Sequence, residues 1–219
     1  MRTKEKISMG FTGILVVCAL IITGLVLRQE FFKSAPQSVV QQVENWKQLK
    51  LTGQRIGSAD APVQIIEFFD YQCPYCKQVQ ASVKAVQQNY PKEVSVVHEH
   101  FPLSGHEFAF EAAIATECAG RQGRFESYHN LLFASQDSLG SISYSELAKE
   151  AQISNISQFE ECTEYQETAQ IITNGTDLGR KLGITGIPTF MINGKLVSGV
   201  LSEQQFEFII KEALAETGR

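Results

Sequence analysis

Cys73 and Cys76 flank Pro74-Tyr75 where an apolar, β-branched run, Val63–Phe69, gives way to a segment with helical periodicity. A short run of that kind, interrupted mainly by Gln64 and Glu67 and closed by a turn signal, predicts a buried strand. The next segment predicts a helix from Pro74 to about Asn89, with Val79, Val83 and Val86 on one face. Two cysteines at this spacing can close a disulfide across one helical turn. If Pro74 takes the first helical position, Cys73 becomes the N-cap, where free backbone N–H groups and the helix dipole favour a thiolate. The thiolate is the nucleophile of thiol–disulfide exchange. Cys76, one turn deeper, suits the resolving role, attacking a mixed disulfide held at Cys73. Zinc is the competing use of such a pair, but a tetrahedral site needs four ligands, usually from two pairs. Cys118 and Cys162 are solitary, and His98 and His100 would be widely separated on one strand face. A strand before the motif and a helix after it favour redox chemistry, with no metal expected.

The rest of the chain extends this α/β pattern. Val94–Phe101 predicts a second strand closed by Pro102, and residues 107–183 are helical in pattern, with breaks at Gly120, Gly123, Gly140 and Ser154-Asn155. Phe125, Tyr128 and Leu132 have the spacing of a helix core. Thr189–Ile192 and Lys195–Ser198 flank Asn193-Gly194, a two-residue hairpin signal. Ser202, with Gln205 three residues on, predicts a capping box for a last helix through Leu214. Before the first strand, residues 35–60 predict a linker rich in Gln, Ser and Lys, with a short helix around Val39–Leu49 carrying Val43, Trp46 and Leu49 at three-residue spacing.

The N-terminus predicts a membrane segment. Ile7 to Leu27 is a run of 21 residues without a charge, between Lys6 and Arg28. As a helix it would span about 30 Å, the hydrocarbon core of a bilayer. Arg2, Lys4 and Lys6 before it favour a cytoplasmic N-terminus and an exported remainder. The alternative is a cleaved signal peptide, but no good Ala-x-Ala site follows, and Ser34-Ala35 has Lys33 beside it. Val17 before Cys18 is branched where lipoprotein processing wants a small residue, so Cys18 is expected to be a small apolar residue in the membrane. Residues 1–34 are thus expected to be a cytoplasmic tip and anchor, and 61–219 the folded domain. Residues 35–219 hold 14 Lys/Arg against 22 Asp/Glu, which gives no electrostatic footprint for nucleic acid. If that part is exported, Cys73, Cys76, Cys118 and Cys162 are an even set where disulfides persist.

The series Glu67-Phe68-Phe69-Asp70-Tyr71-Gln72-Cys73-Pro74-Tyr75-Cys76 resembles the active-site strand and helix start of the DsbA-like branch of the thioredoxin superfamily. The likeness continues at His100-Phe101-Pro102-Leu103, His106, Glu117-Cys118-Ala119, Gln122-Gly123-Arg124-Phe125, Gly186-Ile187-Pro188-Thr189-Phe190 and Asn193-Gly194. It runs from about Gly53 to Leu214. The resemblance implies a thioredoxin fold with a helical insertion at about 105–172, in the bacterial cell envelope. It implies that Cys73 attacks, that Cys76 is its buried partner, and that Pro188 is a cis proline against the pair. Pro74 and Tyr75 would tune the thiolate and meet substrate, and Ile187 would pair its backbone with an extended substrate chain. Read without the resemblance, Ile187-Pro188 is only a strand start.

Glu67 lies where relatives often carry a buried acid that moves the resolving cysteine's proton, and a buried carboxyl there would be a usable base. A solvent-facing strand residue is the alternative. His98, His100, His106 and His129 are expected to be structural or exposed rather than catalytic. The implied activity is oxidation of cysteine pairs in exported proteins, without a cofactor. A membrane reoxidant of DsbB or vitamin K epoxide reductase-like type would restore the disulfide. A reductase or isomerase, or a redox-inactive binding or chaperone module, remains the alternative. Cys118 and Cys162 have apolar neighbours at helical spacings, and some relatives carry a comparable extra pair. They are expected to form a structural disulfide, the alternative being two buried thiols.

Overall fold

The computed structural model describes residues 39–218 and, of the preceding stretch, Thr23 only. The expected anchor, Ile7–Leu27, lies outside the described residues apart from Thr23. Among those residues, no helix is long and apolar enough to cross a membrane. Strands β1 (Val39–Gln42), β2 (Gln54–Ile56), β3 (Val63–Phe69), β4 (Val94–His100), β5 (Thr189–Ile192) and β6 (Lys195–Ser198) form one sheet. Their order is β1-β6-β5-β3-β4-β2, with β3 and β4 parallel and every other pair antiparallel.

The apolar run of β3 and the alternation of β4 make both central strands, and all seven residues of β4 are buried. Between β5 and β6 the chain reverses at Asn193-Gly194, where both residues have positive φ, 44° and 87°. That is the backbone a tight hairpin needs. The segment expected as a linker is different. Residues 39–49 do not form a helix: Val39–Gln42 pairs with β6, Asn45 takes a left-handed φ of 54°, and only Trp46–Gln48 coils, as a single 3-10 turn. The apolar spacing is still used, since Val43, Trp46 and Leu49 pack on one face of the sheet. Gln54–Ile56, also in the expected linker, pairs with β4 as the opposite edge strand.

Helix α1 (Pro74–Asn89) follows β3 directly, and α7 (Glu203–Thr217) ends the described chain. Both cover the sheet face bearing Val63 and Ile65, through Val79, Val83 and Val86 of α1 and Phe206, Ile209 and Ile210 of α7. The capping box of Ser202 and Gln205 starts α7. Between β4 and β5 stand α2 (Ala109–Arg121), α3 (Phe125–Ala134), α4 (Tyr144–Glu150), α5 (Ile156–Thr163) and α6 (Gln166–Lys181). Helix α6 runs unbroken past residue 172, so the expected end of the insertion falls inside a helix. Its Gly175 and Gly179 let it lie close on the sheet: an added Cβ would come within 2.9 Å of Glu99 and 2.6 Å of the Phe101 ring.

One apolar cluster joins the end of β3 to the helical block. Phe69, Tyr71, Cys73 and Cys76 pack with Ala112, Ala115, Tyr128, Leu132, Phe133 and Phe159. Within this cluster Cys118 of α2 and Cys162 of α5 form a disulfide closing a loop of sequence separation 44. Both of its cysteines are buried. In the chain-entropy treatment such a loop contributes up to about 4 kcal/mol. A Cys118→Ala, Cys162→Ala double variant is therefore expected to unfold at lower denaturant by up to that amount while Cys73 keeps its reactivity. Equal stability of variant and parent in urea unfolding would contradict this.

Candidate active site

The site begins where β3 ends. Asp70, 3% exposed, accepts from Gln72 N–H at 2.6 Å and Leu103 N–H at 2.9 Å, and pairs with His106 Nδ1 at 2.6 Å. The Cys73 amide donates to the Asp70 carbonyl at 3.2 Å, which turns the chain into α1. Cys73 is the N-cap in extended backbone and Pro74 stands at N1, as the sequence spacing predicts. Gln136, from the break after α3, donates to the Tyr71 and Cys73 carbonyls at 2.7 and 2.9 Å. The helical block thus fixes the turn that carries the nucleophile. Sequence reasoning missed Gln136, because a glutamine between helices carries no motif.

The two sulfurs have different surroundings. Cys73 keeps 4% exposure and Cys76 none. Hydrogen bonding from Cys76 is the largest cause holding the Cys73 thiol down, at about 6 against an ordinary 9.0. The backbone N–H groups of Cys76 and Tyr75 add to this, while burial and the Asp70 carboxylate oppose it. Burial pushes the Cys76 thiol far up, and its hydrogen bond to Cys73 and the charges of Cys73 and Glu67 act the same way. Tyr75 stands 62% exposed beside the pair. The Cys73 sulfur faces the Ile187 carbonyl at 3.9 Å, and the Ile187–Pro188 peptide is cis. Pro188 is buried and Ile187 half-buried, just ahead of β5.

Glu67 is wholly buried, so it is not a solvent-facing strand residue. The register of β3 on β4 sets it beside His98, with Oε2 to Nδ1 at 2.9 Å. Its Oε1 accepts from Gln80 of α1 at 3.0 Å, and Gln80 Oε1 in turn meets His129 Nε2 at 3.0 Å. His129 Nδ1 meets the Tyr71 hydroxyl at 2.9 Å. Burial holds the His129 imidazole well below its ordinary range, with His98 and His100 acting in the same direction, and burial raises the Tyr71 phenol. His100 pairs with Glu117 at 2.9 Å. Among the described residues, no group of three or more His, Cys, Asp or Glu side chains is placed to hold a metal ion. A cavity of about 790 Å³, lined in part by Trp46, Lys50, Arg55 and Pro62, lies at the opposite end of β3.

A family model described as thioredoxin matches residues 50–212. The chain is 31% identical over 160 residues to a Na(+)/H(+) antiporter NhaA 3 of Salinispora tropica, covering 73% of this chain and 24% of that one. It therefore spans about a quarter of the length of the curated relatives it first matches. It is 26% identical over 162 residues to a probable disulfide bond formation protein D of Bacillus cereus, covering 67% of this chain and 73% of that one. A thioredoxin-like oxidoreductase of Silicibacter pomeroyi superposes with a TM-score of 0.65 at 27% identity, covering 76% of this chain and 94% of that one.

Alkylation of the reduced protein is expected to label Cys73 alone, with a rate rising through a midpoint near pH 6. The lowered thiol also sets a sign for stability. Relative to the disulfide form, the reduced form gains stability between about pH 6 and 9.0 and loses it as pH falls through about 6. A labelling midpoint near ~8.5, that of a free thiol, or labelling of Cys76 first, would contradict this assignment.

Proposed function

The chain belongs to the thioredoxin family, and on that premise we propose that it is a thiol–disulfide oxidoreductase oxidising cysteine pairs in exported proteins. The observation that carries the proposal is the asymmetry of the pair: Cys73 is held as a thiolate at the mouth of α1 while Cys76 is buried and held as a thiol. A substrate thiolate attacks Cys73 Sγ of the Cys73–Cys76 disulfide. That S–S bond breaks, and its electron pair leaves on Cys76 Sγ, which takes up a proton. A second substrate thiolate then attacks the substrate sulfur of the mixed disulfide. The substrate leaves with its own disulfide, and Cys73 departs as a thiolate, two electrons richer as a pair with Cys76. Stabilising the departing Cys73 thiolate makes the disulfide a stronger oxidant, which supports oxidation over reduction or isomerisation.

The other parts of the reading follow from position. Glu67, buried on the strand that leads to the pair, supplies and accepts the Cys76 proton. The Ile187 backbone, beside the Cys73 sulfur and ahead of β5, is suited to pair with an extended substrate segment. Exposed Tyr75 adds an apolar contact for that segment. The uncharged run Ile7–Leu27 behind a basic tip supports a single-pass anchor with the catalytic domain outside the cytoplasm. A membrane reoxidant of DsbB or vitamin K epoxide reductase-like type would accept the two electrons. The antiporter name belongs to a chain about four times as long as the matched stretch and supplies no activity here.

A Cys76→Ala variant is expected to accumulate mixed disulfides with reduced polypeptides through Cys73. The parent protein is expected to speed oxidative refolding of a reduced, scrambling-free substrate more than it speeds insulin reduction. Failure to trap any mixed disulfide would remove the exchange reading, and faster insulin reduction than oxidation would reverse its direction.

A further inference from the structure

The Glu67–His98 pair ends in unsatisfied atoms. Glu67 Oε2 and His98 Nδ1 lie 2.9 Å apart but off the hydrogen-bonding direction, and His98 Nε2 makes no hydrogen bond. The His98 side chain is buried among the rings of Phe69, Phe125 and His129. A buried polar group without a partner is costly, so each such atom asks for an explanation. One further orphan, Gln87 Nε2 of α1, lines the same small cavity as His98.

That cavity holds about 10 Å³, close to the least that a single water occupies. Its inner wall is Gln80, Gln87, His98 and His129, and its outer wall includes Lys84 and Glu126, which are exposed. It therefore begins at the buried imidazole and ends among solvated side chains, on the far side of Glu67 from the mouth where substrate arrives. Glu67 itself has no exposure through which to trade protons with water.

We propose that His98 and a water in this cavity carry the proton between Glu67 and solvent, making His98 a positioning residue for the chemistry of Cys76. The proposal rests on the exchange reading above. When Cys76 attacks a mixed disulfide, its S–H proton passes to the Glu67 carboxylate, which then rotates into line with His98 Nδ1, 2.9 Å away, and hands the proton on. His98 then releases its Nε2 proton to the cavity water and so to solvent. The Cys76–Cys73 bond forms, the bond from Cys73 to the substrate sulfur breaks, and the substrate leaves as a thiolate. When the disulfide is opened by a substrate, the same route runs inward and delivers a proton to the departing Cys76. The charged and titratable groups around His98 are Glu67 on β3, His129 and Glu126 on α3, Lys84 on α1 and His100 on its own strand.

The test uses the reduced protein and a chromogenic aryl disulfide that releases one coloured thiolate when Cys73 attacks and a second when Cys76 resolves. In His98→Phe, which keeps the ring packing, the second phase is expected to slow ~10-fold or more and to change its pH profile, while the first phase is unchanged. Gln87→Leu, at a half-buried position on α1, is expected to slow the same phase and keeps the test open if His98→Phe does not fold. A second phase at the parent's rate in both variants would overturn the proposal. So would one slowed by a single factor at every pH, which is the mark of a structural loss. A parent protein that shows no second phase would instead remove the exchange reading, and the proposal with it.

Discussion

Because β3 is paired on both sides, its end is positioned to within a residue, and the chemistry hangs from that end. The parallel register against β4 sets Glu67 across from His98 and Phe69 across from His100. A slip of β3 by one residue would turn Glu67 away from His98, to the face where Val97 and Met191 pack, and would aim Cys73 away from Ile187. The alternating β-branched and aromatic residues of β3 hold the register by burying one set on α1 and α7 and the other beneath α6. The site is thus an outcome of strand pairing before it is an outcome of any cysteine.

Polar groups placed in this interior are costly. An unsatisfied buried donor or acceptor costs about 1–3 kcal/mol, and several cluster around Glu67, His98 and Gln87. Their neighbours are fully hydrogen-bonded: His129 links Tyr71 to Gln80, and Glu117 links His100 to Gln54. A fold selected for stability alone would fill the Glu67 and His98 positions with apolar residues. Retaining them beneath the pair is what a proton-handling role would require, and the Cys118–Cys162 bridge on the other side of the same apolar cluster offsets part of the cost.

Much of this was legible in the sequence, for identifiable reasons. Val63–Phe69, the Asn193-Gly194 hairpin and the Ser202–Gln205 capping box are local signals, and local signals suffice where an element's own residues decide its conformation. Residues 39–56 misled because edge strands are made by their partners: Val39–Gln42 and Gln54–Ile56 have no strand pattern of their own and form by pairing with β6 and β4. In the site, the N-cap placement of Cys73 could be read from Pro74 alone. The burial of Glu67 could not be decided, since a strand residue's face depends on what packs there. Gln136, Gln80 and the Asp70–His106 pair were invisible, because each acts across a long stretch of chain on a backbone or side-chain group that only the fold brings near.

Direction is where the physical picture is most exposed, because a thiolate held down by its helix and a thiol held up by burial should leave the disulfide eager to be reduced. The direct measurement is the equilibrium of the Cys73–Cys76 pair with glutathione at neutral pH, which gives its reduction potential. The expected result is a potential well above thioredoxin's value of about −270 mV and toward the ~−120 mV of a dedicated oxidant. A potential at or below thioredoxin's would contradict the oxidase.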